Sequence, residues 1–434
     1  MSLINKKTVL DLLTPNIWLN LKNSTYYFGG SFFGLLLAIF TQPIFSRYLE
    51  PYDFAVMGYY NSIQAFFIPL FTLNFTSYYL SSYWDTKKNE GNDLSFHINF
   101  LTIANTVVSF FTLGLLYLYF HLFNVNFPIY PFFFIIVGNL FFEKYKAYYL
   151  IYCRVKKNGL SYFIFNILQV VVSTGLALYF VIFFDAGAVG RMIGPTLSLI
   201  FLAVLVVFIF KRKGIYKTSF KVNLSEIRKA LKFCTPLIIG NYLYFPVSNL
   251  DRLLLERLDN TKEFGYYNIG LTIAGYVGTF FVTLYMAFEP DFYKLTSERK
   301  SHEYVRLALL YIIILAIVAL FAILFSSSVV AYLTSNRYLE ATKYVNIMII
   351  SLYFYSIGDM FQQLYNSLNS TNLSLLRNAL MAVFGIVVYS VLITRMEFIG
   401  AAWARVVLFI LYFMIGLAIF GFKFRKKIHK YLRL

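Results

Sequence analysis

The sequence predicts an all-α integral membrane protein with twelve transmembrane helices, arranged in two six-helix bundles that are related by a parallel pseudo-twofold repeat. Three observations lead to this prediction: long apolar runs, an uneven distribution of basic residues, and motifs that recur along the chain. Of the 434 residues, 59% are hydrophobic and 13% are charged. Because soluble domains carry roughly 25% charged residues, this composition excludes an ordinary soluble domain.

The apolar residues form continuous runs, of which 201–210 and 311–325 are two. About 20 consecutive apolar residues cross the hydrocarbon core as a helix, whereas strands of a transmembrane barrel alternate over about ten residues, so the runs predict helices. The twelve predicted spans are 27–46, 56–80, 97–120, 129–151, 161–184, 190–210, 231–250, 264–288, 304–327, 345–366, 373–393 and 398–421. We expect no cleavable signal peptide, because the first run is long enough to span and lacks a small-residue cleavage site.

The net charge of +18 comes from 38 lysines and arginines against 20 acidic residues. If the N-terminus is cytoplasmic, most of the basic residues fall on the cytoplasmic side, with dense groups at 211–232 and 422–434 and with Arg377 among them. This bias follows the positive-inside rule and predicts that both termini are cytoplasmic. It also predicts attraction to anionic membrane lipids, and no nucleic-acid binding, since no compact basic domain is present.

Loop lengths and charge divide the chain into five predicted parts. These are a cytoplasmic N-terminal segment (1–25), an N-terminal six-helix bundle (26–210), a cytoplasmic linker (211–230), a C-terminal six-helix bundle (231–421) and a basic cytoplasmic tail (422–434). Apolar spacing in 2–22 and 223–233 predicts short amphipathic helices on the membrane surface. Cys153 and Cys234 both fall near the cytoplasmic face, where no disulfide is expected. Four scattered histidines offer no metal site, and we expect no cofactor.

Similar segments follow the first and the seventh predicted span. The first segment reads SRYLEPYDFAVMGYY, and the second reads ERLDNTKEFGYYNIG. A shift of 210 residues aligns Arg47 with Arg257, and the same shift aligns Gly190 with Gly400 before the last span of each half. Because spans one and seven run in the same direction, the predicted repeat is parallel, with its axis along the membrane normal.

No motif of a soluble enzyme is present, since the chain has no Walker A, no H-E-x-x-H and no G-x-S-x-G sequence. Asp251 and Glu256 come nearest to a catalytic pair of carboxylates. Their spacing of five residues places them about 140° apart around a continuing helix, so they would not face one substrate. We therefore expect no enzyme activity.

A polar stripe lies within the tenth predicted span. Asp359, Gln362, Gln363 and Asn366 fall on one helical face. A charge at mid-bilayer costs about 2.5–3.5 kcal/mol on insertion scales unless a partner or a wet cavity receives it. The stripe should therefore face the interior of the bundle, either as a structural hydrogen-bond network or as an ion-coupling site.

Other charged residues lie near the ends of predicted spans. Glu143 and Lys146, toward the inner end of span four, have the i,i+3 spacing of a pair, with Lys144 between them. Arg191 and Arg405 occupy early turns of spans six and twelve. For all five residues we favour snorkelling to the nearby interface, and contact with a polar cavity is the alternative.

Charges also crowd the outer ends of spans one and seven, at Arg47, Asp251, Arg252, Glu256 and Arg257. We expect Glu256 and Arg257 to be solvated loop residues. Arg47, Asp251 and Arg252 are closer to apolar helix, and the seventh span contains prolines and a polar side that suit the lining of a cavity. Arginines at a cavity mouth would suit an anionic group, because guanidinium binds phosphate as a bidentate fork.

The stretch FCTPLIIGNYLYFPVSNLDRLLLERLDNTKEFGYYNIG carries a recurrent pattern of a proline, an Asp-Arg pair and a later acidic-Phe-Gly-x-Tyr motif. The residues of the pattern are Pro236, Asp251, Arg252, Glu263, Phe264, Gly265 and Tyr267. Together with SRYLEPYDFAVMGYY and FEPDFYKL, the pattern resembles that of the polysaccharide repeat-unit (Wzx-type, O-antigen) flippases. These flippases belong to the multidrug, oligosaccharidyl-lipid and polysaccharide (MOP) exporter superfamily. One departure is Ala55, where the family usually has glycine.

The resemblance implies alternating access by a transporter of the bacterial plasma (inner) membrane. Such a transporter flips a polyprenyl-pyrophosphate-linked oligosaccharide repeat unit from the inner to the outer leaflet, for surface polysaccharide assembly. The implied partners are the lipid-linked oligosaccharide and membrane lipids, with the polysaccharide polymerase and chain-length proteins as further candidates. The resemblance places substrate contacts at Arg47, Asp251 and Arg252. Candidates for other polar cavity or ion-coupling residues are Asp359, Gln362, Glu143, Lys146, Arg191 and Arg405.

Two other functions stay open at this point. A cation-coupled drug or metabolite antiporter of the same superfamily would use acidic residues, of which Asp359 is one, although the basic residues favour an anionic substrate. A polysaccharide polymerase usually carries a large outer loop, and no such loop is visible. Without a nucleotide motif, we expect transport to draw on an ion gradient, the membrane potential or the gradient of the substrate.

Overall fold

The structure, a computed structural model, describes residues 15–83, 90–216, 224–297, 300–367 and 371–431. Within these residues all regular secondary structure is helical. The α-helices are α1 (Pro15–Tyr48), α2 (Pro51–Thr72), α3 (Phe75–Ser82), α4 (Glu90–Phe123), α5 (Phe132–Val155), α6 (Gly159–Phe183), α7 (Gly187–Arg212), α8 (Leu224–Leu255), α9 (Thr261–Ser297), α10 (Ser301–Leu324), α11 (Ser326–Leu333), α12 (Thr342–Ser367) and α13 (Thr371–Tyr431). The amphipathic helix predicted for 2–22 lies mostly outside the described residues.

Eight helical stretches of the described chain are long and apolar enough to cross a membrane. They are Thr25–Tyr48, Leu94–Phe123, Gly159–Phe183, Gly187–Arg212, Thr261–Glu289, His302–Leu324, Leu339–Gln363 and Leu373–Ile419. The last stretch is broken at Glu397, whose φ of 50° and ψ of −128° separate two helices. The prediction of an all-α multi-pass membrane protein is therefore confirmed. Helices α2, α5 and α8 coincide with three further predicted spans, and the count of twelve stays a prediction.

Helix α10 shows how such a helix distributes its apolar side chains. Ile313, Ile317 and Leu320 are exposed along one side, whereas Tyr311 and Leu315 are buried on another. Residues three and four apart share a helical face, so the exposed residues form a continuous apolar stripe. In a bilayer such a stripe faces lipid, whose chains are as apolar as the side chains themselves.

The chain forms two compact units. Unit 1 comprises Met1–Thr41, Leu70–Tyr117 and Tyr130–Thr235, and unit 2 comprises Gln42–Pro69, Leu118–Ile129 and Pro236–Leu434. In unit 1, helices α6 and α7 approach closely at Gly194, where a Cβ would lie 2.5 Å from the backbone nitrogen of Ala177. The hydroxyl of Tyr216 donates to Oδ1 of Asn99 at 2.8 Å, which fixes the residues after α7 onto α4. Burial raises the pKa of Tyr216, so its hydroxyl keeps the proton that it donates.

Unit 2 brings together two residues that are 210 positions apart. A Cβ on Gly58 of α2 would overlap the side-chain amide of Asn268 of α9, so this close approach requires glycine. The same shift of 210 relates Gly187 to Glu397, and both have positive φ, at 48° and 50°, where the last helix of each half begins.

Candidate functional site

A buried carboxylate lies in the last turn of α8. The side chain of Asp251 is 0% exposed. Its Oδ2 accepts hydrogen bonds from Nη1 of Arg405 at 2.9 Å and from the hydroxyl of Tyr267 at 2.5 Å. Charge-assisted hydrogen bonds of this length are strong inside a protein, because the surrounding dielectric is low. We call Asp251, Arg252, Tyr267 and Arg405 the charge cluster.

Arg405 reaches the charge cluster from the part of α13 that follows the break at Glu397. The arginine is buried, and its Nη2 also donates to the carbonyl of Ser248 at 3.2 Å. The expectation that Arg405 snorkels to the interface is therefore wrong. The physical reason is that α8 offers a carboxylate and a carbonyl, which bind the guanidinium better than the interface does.

Arg252 is held mainly by uncharged oxygens. Its Nη2 donates to Oδ1 of Asn249 at 2.6 Å and to the carbonyl of Ser248 at 3.3 Å, whereas its Nε lies 3.9 Å from Oδ1 of Asp251. The side chain is 12% exposed. Two guanidinium groups thus share one carboxylate, and the charge cluster carries one net positive charge.

Arg47, at the end of α1, lies in another part of unit 2. Its Nε donates to Oγ of Ser335 at 3.1 Å, and the side chain is otherwise exposed. The neighbouring Arg337 donates to the carbonyl of Ser46 at 3.0 Å. Within the described residues, these contacts join α1 to the segment between α11 and α12 and do not include Arg252.

Near Arg47, the buried Tyr338 also joins the end of α1 to the segment between α11 and α12. The hydroxyl of Tyr338 donates to the carbonyl of Leu49. Burial raises the pKa of Tyr338, although the nearby Arg337 works in the opposite direction. The hydroxyl therefore stays protonated and remains a donor at neutral pH.

Glu256 is not the solvated loop residue that the sequence predicts, whereas the side chain of Arg257 is exposed, as expected. Glu256 is buried, and its Oε1 accepts from the backbone nitrogen of Asn126 at 2.8 Å. Arg257 donates to the carbonyl of Phe123 at 2.5 Å, and Asp259 accepts from the Asn126 amide. The end of α4 leaves backbone groups without helical partners, and the side chains after α8 supply those partners.

In the polar stripe on α12, Gln362 contacts α13. The amide of Gln362 donates to Oγ of Ser374, and its Oε1 accepts from Nη1 of Arg377 at 3.5 Å. Asp359, one turn earlier, is half-buried. Arg377 is 0% exposed, because carbonyl oxygens of α12 and α13 accept hydrogen bonds from its guanidinium, and its assignment to the cytoplasmic side stays a prediction. The side chain of Asn366 lies outside the described residues.

Unit 1 contains the remaining predicted residues. Lys146 and Glu143 of α5 form the expected i,i+3 ion pair, with Nζ and Oε1 2.8 Å apart, and this pairing is confirmed. Lys144 is buried rather than snorkelled, because it donates to the carbonyl of Phe141 at 2.8 Å. Arg191 is half-buried on α7.

Sequence reasoning missed the contribution of Ser335 and the enclosed position of Arg377. Tyr267 belongs to the motif found in the sequence, but its hydrogen bond to Asp251 was not predicted. Arg377 did give a signal, since it is an isolated charge within an apolar run. Among the described residues, no group of three His, Cys, Asp or Glu side chains is arranged to hold a metal ion.

A family model described as polysaccharide biosynthesis protein matches residues 20–296, which is more than half of the chain. The chain belongs to this polysaccharide biosynthesis protein family. A second model, described as MatE, matches residues 236–391. No curated protein sequence matches this chain significantly.

Solved structures of three transporters resemble the family member over most of its length. The lipid II flippase MurJ in an inward closed conformation has a TM-score of 0.70 at 15% identity, covering 89% of this chain and 86% of that one. An inward-facing multidrug resistance MATE family transporter of the MOP superfamily has a TM-score of 0.65 at 14% identity, covering 92% of this chain and 94% of that one. A mutant form of the Vibrio cholerae MATE transporter VcmN has a TM-score of 0.59 at 15% identity, covering 94% of this chain and 96% of that one.

The similarity to these three structures shows that the chain has the fold of the MOP superfamily, as the sequence motifs implied. The family is thus shown to be that of polysaccharide biosynthesis proteins, and the fold is one that the three transporters share. Within this fold, the charge cluster places a fully buried carboxylate between two arginines.

Proposed function

We propose that the protein flips a polyprenyl-pyrophosphate-linked oligosaccharide repeat unit from the inner to the outer leaflet of the bacterial plasma membrane, for surface polysaccharide assembly. The family match to polysaccharide biosynthesis proteins supports this substrate class. The single structural observation that carries the proposal is the positive excess of the charge cluster, in which two arginines share Asp251.

Arg252 is the member of the charge cluster that is best suited to meet a pyrophosphate. Its side chain is 12% exposed, whereas Asp251 is fully buried, and Asn249 orients its guanidinium. Arginine binds phosphate oxygens through two parallel N–H donors, so a pre-oriented guanidinium loses little entropy on binding. Asp251 and Arg405 are positioning residues in this proposal, because their own contacts are with each other, Tyr267 and Ser248.

The proposed mechanism is alternating access between two six-helix bundles, 26–210 and 231–421, related by a parallel repeat of twelve spans. In unit 2, the contacts of Arg47 with Ser335 and of Asn126 with Glu256 hold first-half helix ends against second-half residues. The positive-inside bias assigns these helix ends to the outer face. We take these contacts as the closed outer gate, which must separate when substrate leaves.

Expression in a bacterial strain that lacks its own flippase, and whose repeat unit matches the natural substrate, tests the function. Wild type should restore surface glycan, and Arg252→Ala should not, at equal membrane protein level. Arg252→Lys should restore part, because an ammonium lacks the planar fork. Arg306→Ala, at an exposed site on α10, is the matched control and should behave as wild type. Wild-type glycan from Arg252→Ala would remove Arg252 from the transport path.

A cation-coupled antiporter is the second candidate, and the half-buried Asp359 within a spanning stretch is the observation that favours it. Such a protein would export lipophilic cations when a Na⁺ or proton gradient is imposed on vesicles. We expect no such export from wild type. Export that disappears in Asp359→Asn would favour the antiporter over the flippase.

A further inference from the structure

A histidine is enclosed by aromatic rings in unit 1, where α3, α4 and α5 meet. The side chain of His97 on α4 is 1% exposed. The centroid of its ring lies 5.8 Å from that of Phe75, 5.6 Å from that of Tyr79 and 6.2 Å from that of Tyr148. Tyr78 of α3 adds a fourth ring at 5.8 Å. We call His97 and these four rings the histidine cage.

Polar atoms of the histidine cage have no hydrogen-bond partner in the described part of the chain. This holds for both Nδ1 and Nε2 of His97, and for the hydroxyl of Tyr148, whose side chain is 0% exposed. Buried polar groups in native proteins are nearly always paired, because an unpaired one loses its bonds to water without compensation. These three atoms therefore indicate a bound molecule that supplies hydrogen bonds.

The surroundings of the histidine cage restrict what this molecule can be. It must be small, because His97 and Tyr148 are almost fully buried. It must both donate and accept, since a neutral imidazole has one donor and one acceptor nitrogen. Water fits both requirements, and hydrogen bonds through one water molecule join polar atoms that are about 5–6 Å apart. The separation of 6.2 Å between the two ring centroids suits such a bridge.

The buried face of α4 carries further polar groups of this kind. Both polar side-chain atoms of Asn105 and the hydroxyl of Thr112 lack a partner among the residues that the structure describes, and both side chains are 0% exposed. His97, Asn105 and Thr112 follow one another at intervals of about two turns, within the spanning stretch Leu94–Phe123. Unpaired polar groups are especially costly at membrane depth, so a dry interior along α4 is unfavourable.

We propose that unit 1 holds internal water on the buried face of α4, and that one such water molecule is hydrogen-bonded to both His97 and Tyr148 inside the histidine cage. Internal water molecules typically make about three hydrogen bonds to groups that the protein leaves unpaired. The inference does not depend on which substrate the protein carries.

X-ray footprinting of the purified wild-type protein tests the proposal, because irradiated water forms hydroxyl radicals that oxidise the nearest side chain. Tyr389 of unit 2 is the matched control: its side chain is also 0% exposed, but its hydroxyl donates to the carbonyl of Val247 at 3.0 Å. Tyr148 should be hydroxylated several-fold faster than Tyr389. Equal rates for the two tyrosines would overturn the proposal.

Removal of the Tyr148 hydroxyl gives a second test, in which the sign of the change in Tm decides. Tyr148→Phe should lower the Tm, as Tyr389→Phe should, because each variant loses a hydrogen bond. A higher Tm for Tyr148→Phe would overturn the proposal, since removing a dry, unpaired hydroxyl removes its desolvation cost.

A double-variant cycle tests whether His97 and Tyr148 share the water molecule. The effects of His97→Phe and Tyr148→Phe on stability should be non-additive, because both substitutions keep a ring and remove only groups that bind the same water. The effects of His97→Phe and Tyr389→Phe should add. Additivity of both pairs would overturn the shared site. If His97→Phe does not fold, the footprint of wild type and the Tm of Tyr148→Phe decide.

Discussion

Asp251 of α8 and Arg405 of α13 form a buried ion pair, with Oδ2 and Nη1 2.9 Å apart although 154 positions separate the residues in the chain. The same carboxylate oxygen accepts from the hydroxyl of Tyr267. A buried pair of this kind fixes two helices relative to each other, because each charge alone would be costly in an apolar environment. In this protein the pair orders the end of α8, where Arg252 follows directly.

Replacing Asp251 should strongly destabilise the protein. Asp251→Asn leaves two guanidinium groups in the charge cluster without a counter-charge, and removing one partner of a buried ion pair costs about 3–5 kcal/mol. The measurement is thermal unfolding of purified protein in detergent. Glu303→Gln is the control, since its ion pair with Lys300 is exposed and such a pair contributes only about 0–1 kcal/mol to stability. Equal, small shifts for both variants would contradict the structural role of the pair.

Gly58→Ala should destabilise the protein. A Cβ at Gly58 would overlap the side-chain amide of Asn268, so α2 and α9 would have to move apart locally. Overpacking of this kind costs about 1–3 kcal/mol, and thermal unfolding of the purified protein measures it.

The control is Gly275→Ala, because a Cβ at Gly275 meets no atom within 4 Å. Its Tm should stay close to that of wild type. Equal Tm values for Gly58→Ala and Gly275→Ala would contradict the close approach of α2 and α9.

Glu256→Ala should destabilise the protein. The substitution leaves the backbone N–H of Asn126 without its acceptor and removes the ion-pair partner of Arg257, whose Nε lies 3.3 Å from Oε2 of Glu256. A hydrogen bond to a charged acceptor contributes about 1.5–3 kcal/mol. The Tm of Glu256→Ala should therefore fall well below that of Glu303→Ala at an exposed site. If the two variants have the same Tm, Glu256 is solvated as the sequence alone suggests.

Reporter fusions test the predicted topology of the chain. Fusions after residues 215 and 427 should report the cytoplasm, and fusions near residues 125 and 335 should report the outside, because the basic loops stay inside. A cytoplasmic signal at 335 would place the contact between Arg47 and Ser335 on the inner face. The gate that we assign to the outer side would then be an inner gate.

Local features of this fold were predictable from the sequence. The apolar run at 304–327 coincides with α10, Ser301–Leu324, since about 20 apolar residues suffice for a spanning helix. The pair between Glu143 and Lys146 was also predictable, because a spacing of three residues on one helix brings side chains together.

Contacts between distant segments were not predictable. The burial of Arg405 depends on Asp251, and the burial of Glu256 depends on the position of Asn126, which is 130 positions away. One sequence contains no signal for such pairings, so an interfacial or solvated position was the natural expectation. The break at Glu397 falls between the predicted spans 373–393 and 398–421, but its positive φ was not predictable, because glutamate with positive φ is rare and requires its tertiary context.

Reconstitution tests the flippase claim most directly. Purified protein in liposomes with a fluorescent polyprenyl-pyrophosphate-linked oligosaccharide in the inner leaflet should expose the sugar to an external glycosidase, without ATP. Arg252→Ala should lose most of this activity while keeping the wild-type Tm, because Arg252 is held by uncharged oxygens and Asp251 keeps Arg405. A phospholipid with the same fluorophore should not move. No acceleration by wild-type protein over empty liposomes, or equal rates for wild type and Arg252→Ala, would contradict the account.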